Sequence, residues 1–323
     1  MSLYAHVLSV ILATNSTVAA ISNEVQSATG ISLPVVDPND PAEQALHQVM
    51  LDDDAAQDGA DQTIRENEAF AKNGAGETKE QLNVRLSARF DAVRKEYQAF
   101  LEKYPNSARG HLAYGTFLND LGQEYEASLE YEKSRQLDPN NPAVWNDLAN
   151  FYGEFSPVTN AFKYYARAIE LNSNEPVYYQ NLATTVYLFR HDATNFYNIT
   201  EPQVFDKALA LYRQAMQLDP KNLVLATDYA MSYYGIRPLR TNDALAGWTN
   251  ALNLTHNETE REGIYVHLAR IKISISQFAD ARADLDTITN ADFAEIRRRL
   301  ERNLNQKEHP APGTNAPPAG MVD

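Results

Sequence analysis

Cysteine is absent from the 323 residues, which removes disulfide scaffolds, thiolate metal sites and thiol nucleophiles at once. Glycine is scarce as well. Thirteen glycines offer little raw material for nucleotide-cradling loops, and neither GxGxxG nor a P-loop motif occurs. Lys and Arg are outnumbered, 28 against 43 Asp and Glu, for a formal charge of −15. Nucleic acid and anionic membranes are poor partners for such a chain, because it lacks the cation excess that neutralises phosphate. None of the seven histidines stands in HExxH or HxH spacing, and there is no GxSxG elbow. The acidic run from Asp52-Asp53-Asp54 to Asp58-Gly59 carries Ala56 and Arg65 where a calcium loop needs ligands, so it reads as a solvated acidic helix start. No metal, no cofactor and no catalytic residue is expected, and hence no enzyme. What is abundant is aromatic: 18 Tyr, 12 Phe and 2 Trp within 44% apolar residues, ordinary for a globular chain with a real core.

The charge is unevenly placed, since no Lys or Arg precedes Arg65 while nine acids do. Residues 1–33 form a mildly apolar segment. Val18-Ala19-Ala20 has the small residues of a signal-peptidase site, but the basic n-region is missing, and Val7 to Ala13 is too short to span a bilayer. An export signal, and with it an exported or periplasmic location, stands beside a plain amphipathic helix in a cytoplasmic protein. Residues 34–73 read as an acidic linker and leading helix, because Pro34, Pro38 and Pro41 interrupt any helix through the first part.

A repeat governs residues 74–290. Small residues recur at Ala127, Ala161, Ala208, Ala244 and Ala281. Four residues after each comes Tyr131, Tyr165, Tyr212, Trp248 or Leu285, and seven after each comes Ser134, Ala168, Ala215, Ala251 or Ile288. Spacings of four and three put these on one helix face, with small residues alternating with large ones, as close helix packing requires. Upstream stand the pairs Tyr114-Gly115, Leu148-Ala149, Leu182-Ala183, Tyr229-Ala230 and Leu268-Ala269, so each unit is a helix hairpin. Pro142 and Pro176 mark helix starts, where a missing N–H has no intrahelical partner to lose.

The run Trp145-x2-Leu148-Ala149-x2-Tyr152, followed by Ala161-x3-Tyr165 and Ala168, resembles the tetratricopeptide repeat, and several units agree in register. That resemblance implies an all-α, right-handed superhelical solenoid of about five to six hairpins with a concave groove. It also implies a scaffold for protein–protein interaction, with the first helix of each hairpin lining the groove. The groove residues are then Asn119, Asn146, Asn150, Gln180, Thr184, Tyr187, Thr227 and Tyr234, with Thr116, Asp120, Glu154 and Met231 beside them. Amides both donate and accept, so they can pair with the backbone of an extended peptide of any sequence. The acidic balance favours a partner with a basic segment.

A 13-residue excess lies at 191–203, inside one hairpin, and a smaller one at 237–240 lies at the equivalent turn of the next. Both should emerge on one edge. Arg190, His191, Asp192, Tyr197, Arg237 and Arg240 then form an alternative site, for a small ligand or a hydrolytic reaction, on a long loop. A homo-oligomeric structural protein is a further alternative, and the oligomeric state is not legible. Residues 291–304 fit a capping helix whose arginines, Arg297, Arg298, Arg299 and Arg302, are most simply solvated and compatible with the helix dipole, with a docking patch for an acidic partner as the alternative. The Pro-rich segment 305–323 reads as disordered.

Overall fold

The computed structural model describes residues 40–155 and 157–309, and every regular element among them is helical. The apolar segment with its export-signal reading, the prolines at 34 and 38, and the tail from 310 onward lie outside the described residues. Two compact units divide between Asn174 and Glu175.

In the first unit, α1 (Pro41–Ala71) pairs with α2 (Lys79–Lys103), α3 (Ala108–Asp120) with α4 (Glu124–Leu137), and α5 (Pro142–Glu154) with α6 (Val158–Leu171). Local chemistry sets the starts. The Asp40 carboxylate accepts from Ala42 N at 2.9 Å with Pro41 in the first turn, and the Asn141 side chain accepts from Ala143 N at 3.0 Å with Pro142 in the same place. Each side-chain cap satisfies a backbone donor that the helix itself leaves unpaired. Pro41 therefore opens a helix instead of interrupting one, and hairpin packing begins at residue 41 rather than 74. The acidic run is also relocated: Asp52-Asp53-Asp54 lies in the middle of α1, and Asp53 is buried, accepting from the Tyr97 hydroxyl at 2.9 Å.

The second unit contains α7 (Pro176–Leu188), α8 (Arg190–Tyr197), α9 (Glu201–Leu218), α10 (Leu223–Ser232), α11 (Thr241–Asn253), α12 (Glu258–Ser274), α13 (Phe278–Asp286) and α14 (Ala294–Glu308). Helix α7 packs on α9, α10 on α11 and α12 on α13, while α14 covers α12 and α13. The inserted segment read as a loop is thus the helix α8, closed by Asn198 in the left-handed region (φ 52°). Its hydrogen-bonded backbone removes the need for the solvent pairing a loop would require. Helix α14 continues to Glu308, four residues past the boundary read from composition.

The repeat register is visible in burial. Ala127, Ala161, Ala208, Ala244 and Ala281 are all 0–1% exposed, and the residues four and seven positions later are all 0–4% exposed. Small residues let facing helices approach, and the large apolar residue four positions on fills the space between them. Gly115 shows how close this is: a Cβ there would lie 2.6 Å from the Tyr131 ring.

The cap is tied down by one buried carboxylate. Glu262 on α12 accepts from Thr289 Oγ1 at 2.8 Å and from Asn290 N at 2.7 Å, just ahead of α14. These bonds, the Asn290 N–H first, hold its pKa below the ordinary 4.5 against the opposing effect of burial. A depressed folded-state pKa means stability that is present above the unfolded value and lost as pH falls through the folded one. Glu262→Gln should therefore lower the melting temperature at pH 7, and the gap to the parent should narrow at a pH well below the ordinary 4.5. Thermal melts at the two pH values check this.

Candidate functional site

Within the first unit the residues expected in a groove lie along α3 and α5. Thr116, Asn119 and Asp120 are exposed near the end of α3, and Asn150 is exposed on α5, accepting from the Tyr165 hydroxyl at 2.6 Å. Asn146, by contrast, is buried, with Nδ2 donating to Asp147 Oδ1 at 3.1 Å. Its amide orients the neighbouring carboxylate.

Three carboxylates, Asp53, Asp120 and Asp147, come from three different helices and feel one another. Asp53 is raised first by burial, against hydrogen bonds from Gln57 and Tyr97. Asp120 is raised by burial and then by the charge of Asp53. Asp147 is pushed up to about 6, first by burial and, after the opposing Asn146 bond, by Asp120. Among the described residues no Lys or Arg pairs with any of them. An uncompensated set of this kind attracts a cation. Sequence reasoning placed Asp120 beside the groove, read Asp53 only as part of a solvated acidic run, and passed over Asp147, although it sits between Asn146 and Asn150 on the same helix.

In the second unit the expected groove residues are largely engaged with neighbouring residues outside the expected set. Gln180 Nε2 donates to Asp228 at 2.7 Å, the Thr184 and Tyr212 hydroxyls lie 2.8 Å apart, and Thr227 donates back to the Val224 carbonyl at 2.7 Å. Tyr187 is half-buried against Phe205 and against Gly235, where any Cβ would strike its ring. Tyr234 meets His267 Nδ1 at 3.1 Å, and His267 stacks on Trp248 with ring centres 4.0 Å apart. Burial, then the Arg270 charge, lowers the His267 pKa to about 4, so the ring is neutral near pH 7.

The inserted edge is also sorted by the structure. A recess of about 330 Å³ opens beside Arg190, His191, Asp192, Thr194 and Glu201. Arg190 pairs with Glu201 at 2.9 Å, Arg240 pairs with Asp206 at 2.6 Å, and Arg237 donates to the carbonyls of Tyr234 and Ile236. Tyr197 is half-buried, with the Lys207 ammonium 4.2 Å from its ring centre. The three arginines of this edge are thus occupied separately, two in ion pairs and one in backbone bonds, and are not brought together on His191 and Asp192. Among the described residues no three His, Asp or Glu side chains are placed to hold a metal ion.

The fold is similar to that of a solved structure from Pseudomonas aeruginosa, described as a functional characterisation of pilF. The likeness has a TM-score of 0.50 at 13% identity and covers 77% of this chain and 99% of that one. The fold is a tetratricopeptide-like helical solenoid. A second similar structure, of YrrB, described as a TPR protein with an unusual peptide-binding site, has a TM-score of 0.49 at 12% identity, covering 64% of this chain and 97% of that one. Among curated proteins the chain is 28% identical over 134 residues to the RNA polymerase-associated protein CTR9 of Caenorhabditis elegans. That match covers 40% of the chain and 12% of the relative. It is 24% identical over 117 residues to RNA polymerase II-associated protein 3 of Mus musculus, covering 35% of the chain and 17% of that relative. The chain therefore spans less than a fifth of the length of either relative. No family model matches it.

Proposed function

We propose that the chain is a non-enzymatic interaction scaffold whose first unit binds an extended, basic segment of a protein partner. Stacked helical hairpins present preformed surfaces of this kind, and a preformed receptor gives up little conformational freedom on binding. The observation that carries the reading is the face shared by Asp53, Asp120 and Asp147. Their carboxyls are all held above their ordinary range, with no Lys or Arg pairing with them among the described residues. A Lys or Arg side chain of the partner supplies the missing charge, and Asn119 and Asn150, exposed alongside, offer amide pairing to its backbone.

The test is retention of proteins from a lysate on the immobilised full chain, compared with a chain carrying Asn119→Ala, Asp120→Asn and Asn150→Ala. Partners with basic segments should be lost, and the parent's retention should weaken with added salt. An unchanged retained set overturns the proposal.

A further inference from the structure

We infer that the second unit carries a separate carboxylate-binding recess, formed where α12 meets the cap α14, that takes the acidic side chains of a peptide segment. Arg270 from α12 and Arg299 and Arg302 from α14 line a recess of about 390 Å³, with Asn303 and Gln306 on its wall and Leu300 completing it. Among the described residues no acidic one lines it.

The arginine run that looked uniform is in fact divided. Arg297 is occupied, pairing with Glu301 at 2.9 Å, approaching Asp286 at 3.7 Å and donating to the Ile288 carbonyl. Arg298 donates back to the Ala294 carbonyl at 3.2 Å. Arg299 and Arg302 are exposed, and among the described residues neither has a carboxylate partner. Arg270 has none either; its guanidinium lies 5.6 Å from the centre of the Tyr234 ring. The titratable groups that Arg270 meets are His267, neutral near pH 7, and Tyr234, whose hydroxyl burial pushes up, so neither compensates the three positive charges.

Three like charges brought to one recess repel one another, and an anion removes that repulsion. Guanidinium forks match the two oxygens of a carboxylate, and the amides of Asn303 and Gln306 add neutral donors. The size of the recess suits one or two carboxylates. Residues 175–309 hold 15 Lys and Arg against 17 Asp and Glu, a net of −2, so a long polyanion would meet repulsion outside the recess. An acidic peptide fits these limits better than a nucleic acid does. The inference is independent of the basic segment proposed for the first unit.

Fluorescence anisotropy of a labelled, C-terminally amidated oligoglutamate peptide against the full chain at low salt tests it. Saturable binding is expected, weakened about tenfold or more by Arg299→Ala with Arg302→Ala and left unchanged by Arg298→Ala. An oligoglutamine peptide should not bind. If the double variant melts early, Arg270→Lys serves instead, since it keeps the charge and loses the fork, and it should also weaken binding. No saturation below about 1 mM overturns the inference. So does equal loss with Arg298→Ala, or tighter binding of an RNA oligonucleotide of matched charge through the same arginines. None of these outcomes involves Asn119, Asp120 or Asn150, so failure here and failure of the first-unit reading are distinguishable.

Discussion

Replacing Trp248 by Ala should lower stability by about 3–5 kcal/mol, the range for truncating a large aromatic in a packed interior. Trp248 is the largest fully buried side chain, at 1% exposure, and lies in the core cluster built by α9, α10, α11 and α12. Its ring contributes burial, at about 25 cal/mol per Å² of apolar surface, and a near-parallel stack with His267, 4° between planes. It also carries a cost: among the described residues its indole Nε1 has no hydrogen-bond partner. A buried donor left unpaired costs about 1–3 kcal/mol, which Trp248→Phe would relieve. The Phe variant should therefore lose less than half of what the Ala variant loses, as read from the midpoint of urea unfolding followed by helical circular dichroism. In the Phe variant the His267 pKa, measured by NMR, should rise from about 4 toward its ordinary 6.5 as its covering ring shrinks. Equal losses for Phe and Ala would mean that the indole N–H is bonded after all.

The second large effect is a pH-dependent gain. Asp147 is held at about 6 against an ordinary 3.8, roughly 2 pKa units, which at 1.36 kcal/mol each sets an upper bound of about 3 kcal/mol. Between these values the unfolded chain has lost the proton and the folded chain keeps it. Stability therefore falls as pH rises from about 4 to about 6 and stays lower above that. Asp147→Asn preserves shape and the oxygen to which Asn146 donates, while removing the charge. It should stabilise the protein by about 1–3 kcal/mol at pH 7.5 and by almost nothing at pH 4. The same variant should bind a basic peptide more weakly, since the charge it removes is the one the ligand neutralises. A gain of equal size at both pH values would show that the effect is packing rather than ionisation.

The fold was legible because its determinants are periodic. Ala161, Tyr165 and Ala168 sit at spacings fixed by helix geometry, and the same triplet recurs, so agreement between units compensates for the weakness of each match. Helix α1 was only partly legible because Pro41, which ends most helices, is harmless in a first turn, and that reading depends on Asp40 serving as the cap. Helix α8 was missed as a helix since His191 to Tyr197 has few strong helix formers and gains its order from packing on α7 and α9. The site was the least readable part. Asn119 and Asn150 could be placed from register. The joining of Asp53, Asp120 and Asp147, or of Arg270, Arg299 and Arg302, is a property of three dimensions with no counterpart in spacing.

Helices α1 and α2, of 31 and 25 residues, are about twice as long as the 13–14 residues of each helix in the two hairpins that follow. At 1.5 Å per residue α1 is roughly 46 Å long and α3 roughly 20 Å, so the far half of the first hairpin extends past the helices that brace its near half. Arg109 of α3 pairs with Glu43 near the start of α1, and Tyr114 of α3 stacks on Tyr97 near the end of α2. Beyond Thr63 nothing in α1 is buried, and Phe70 and Val84 stand exposed around the turn. That half is a cantilever. It can splay or fray at small cost without disturbing the stack behind it, which makes it the part of the first unit most easily reshaped by whatever it meets.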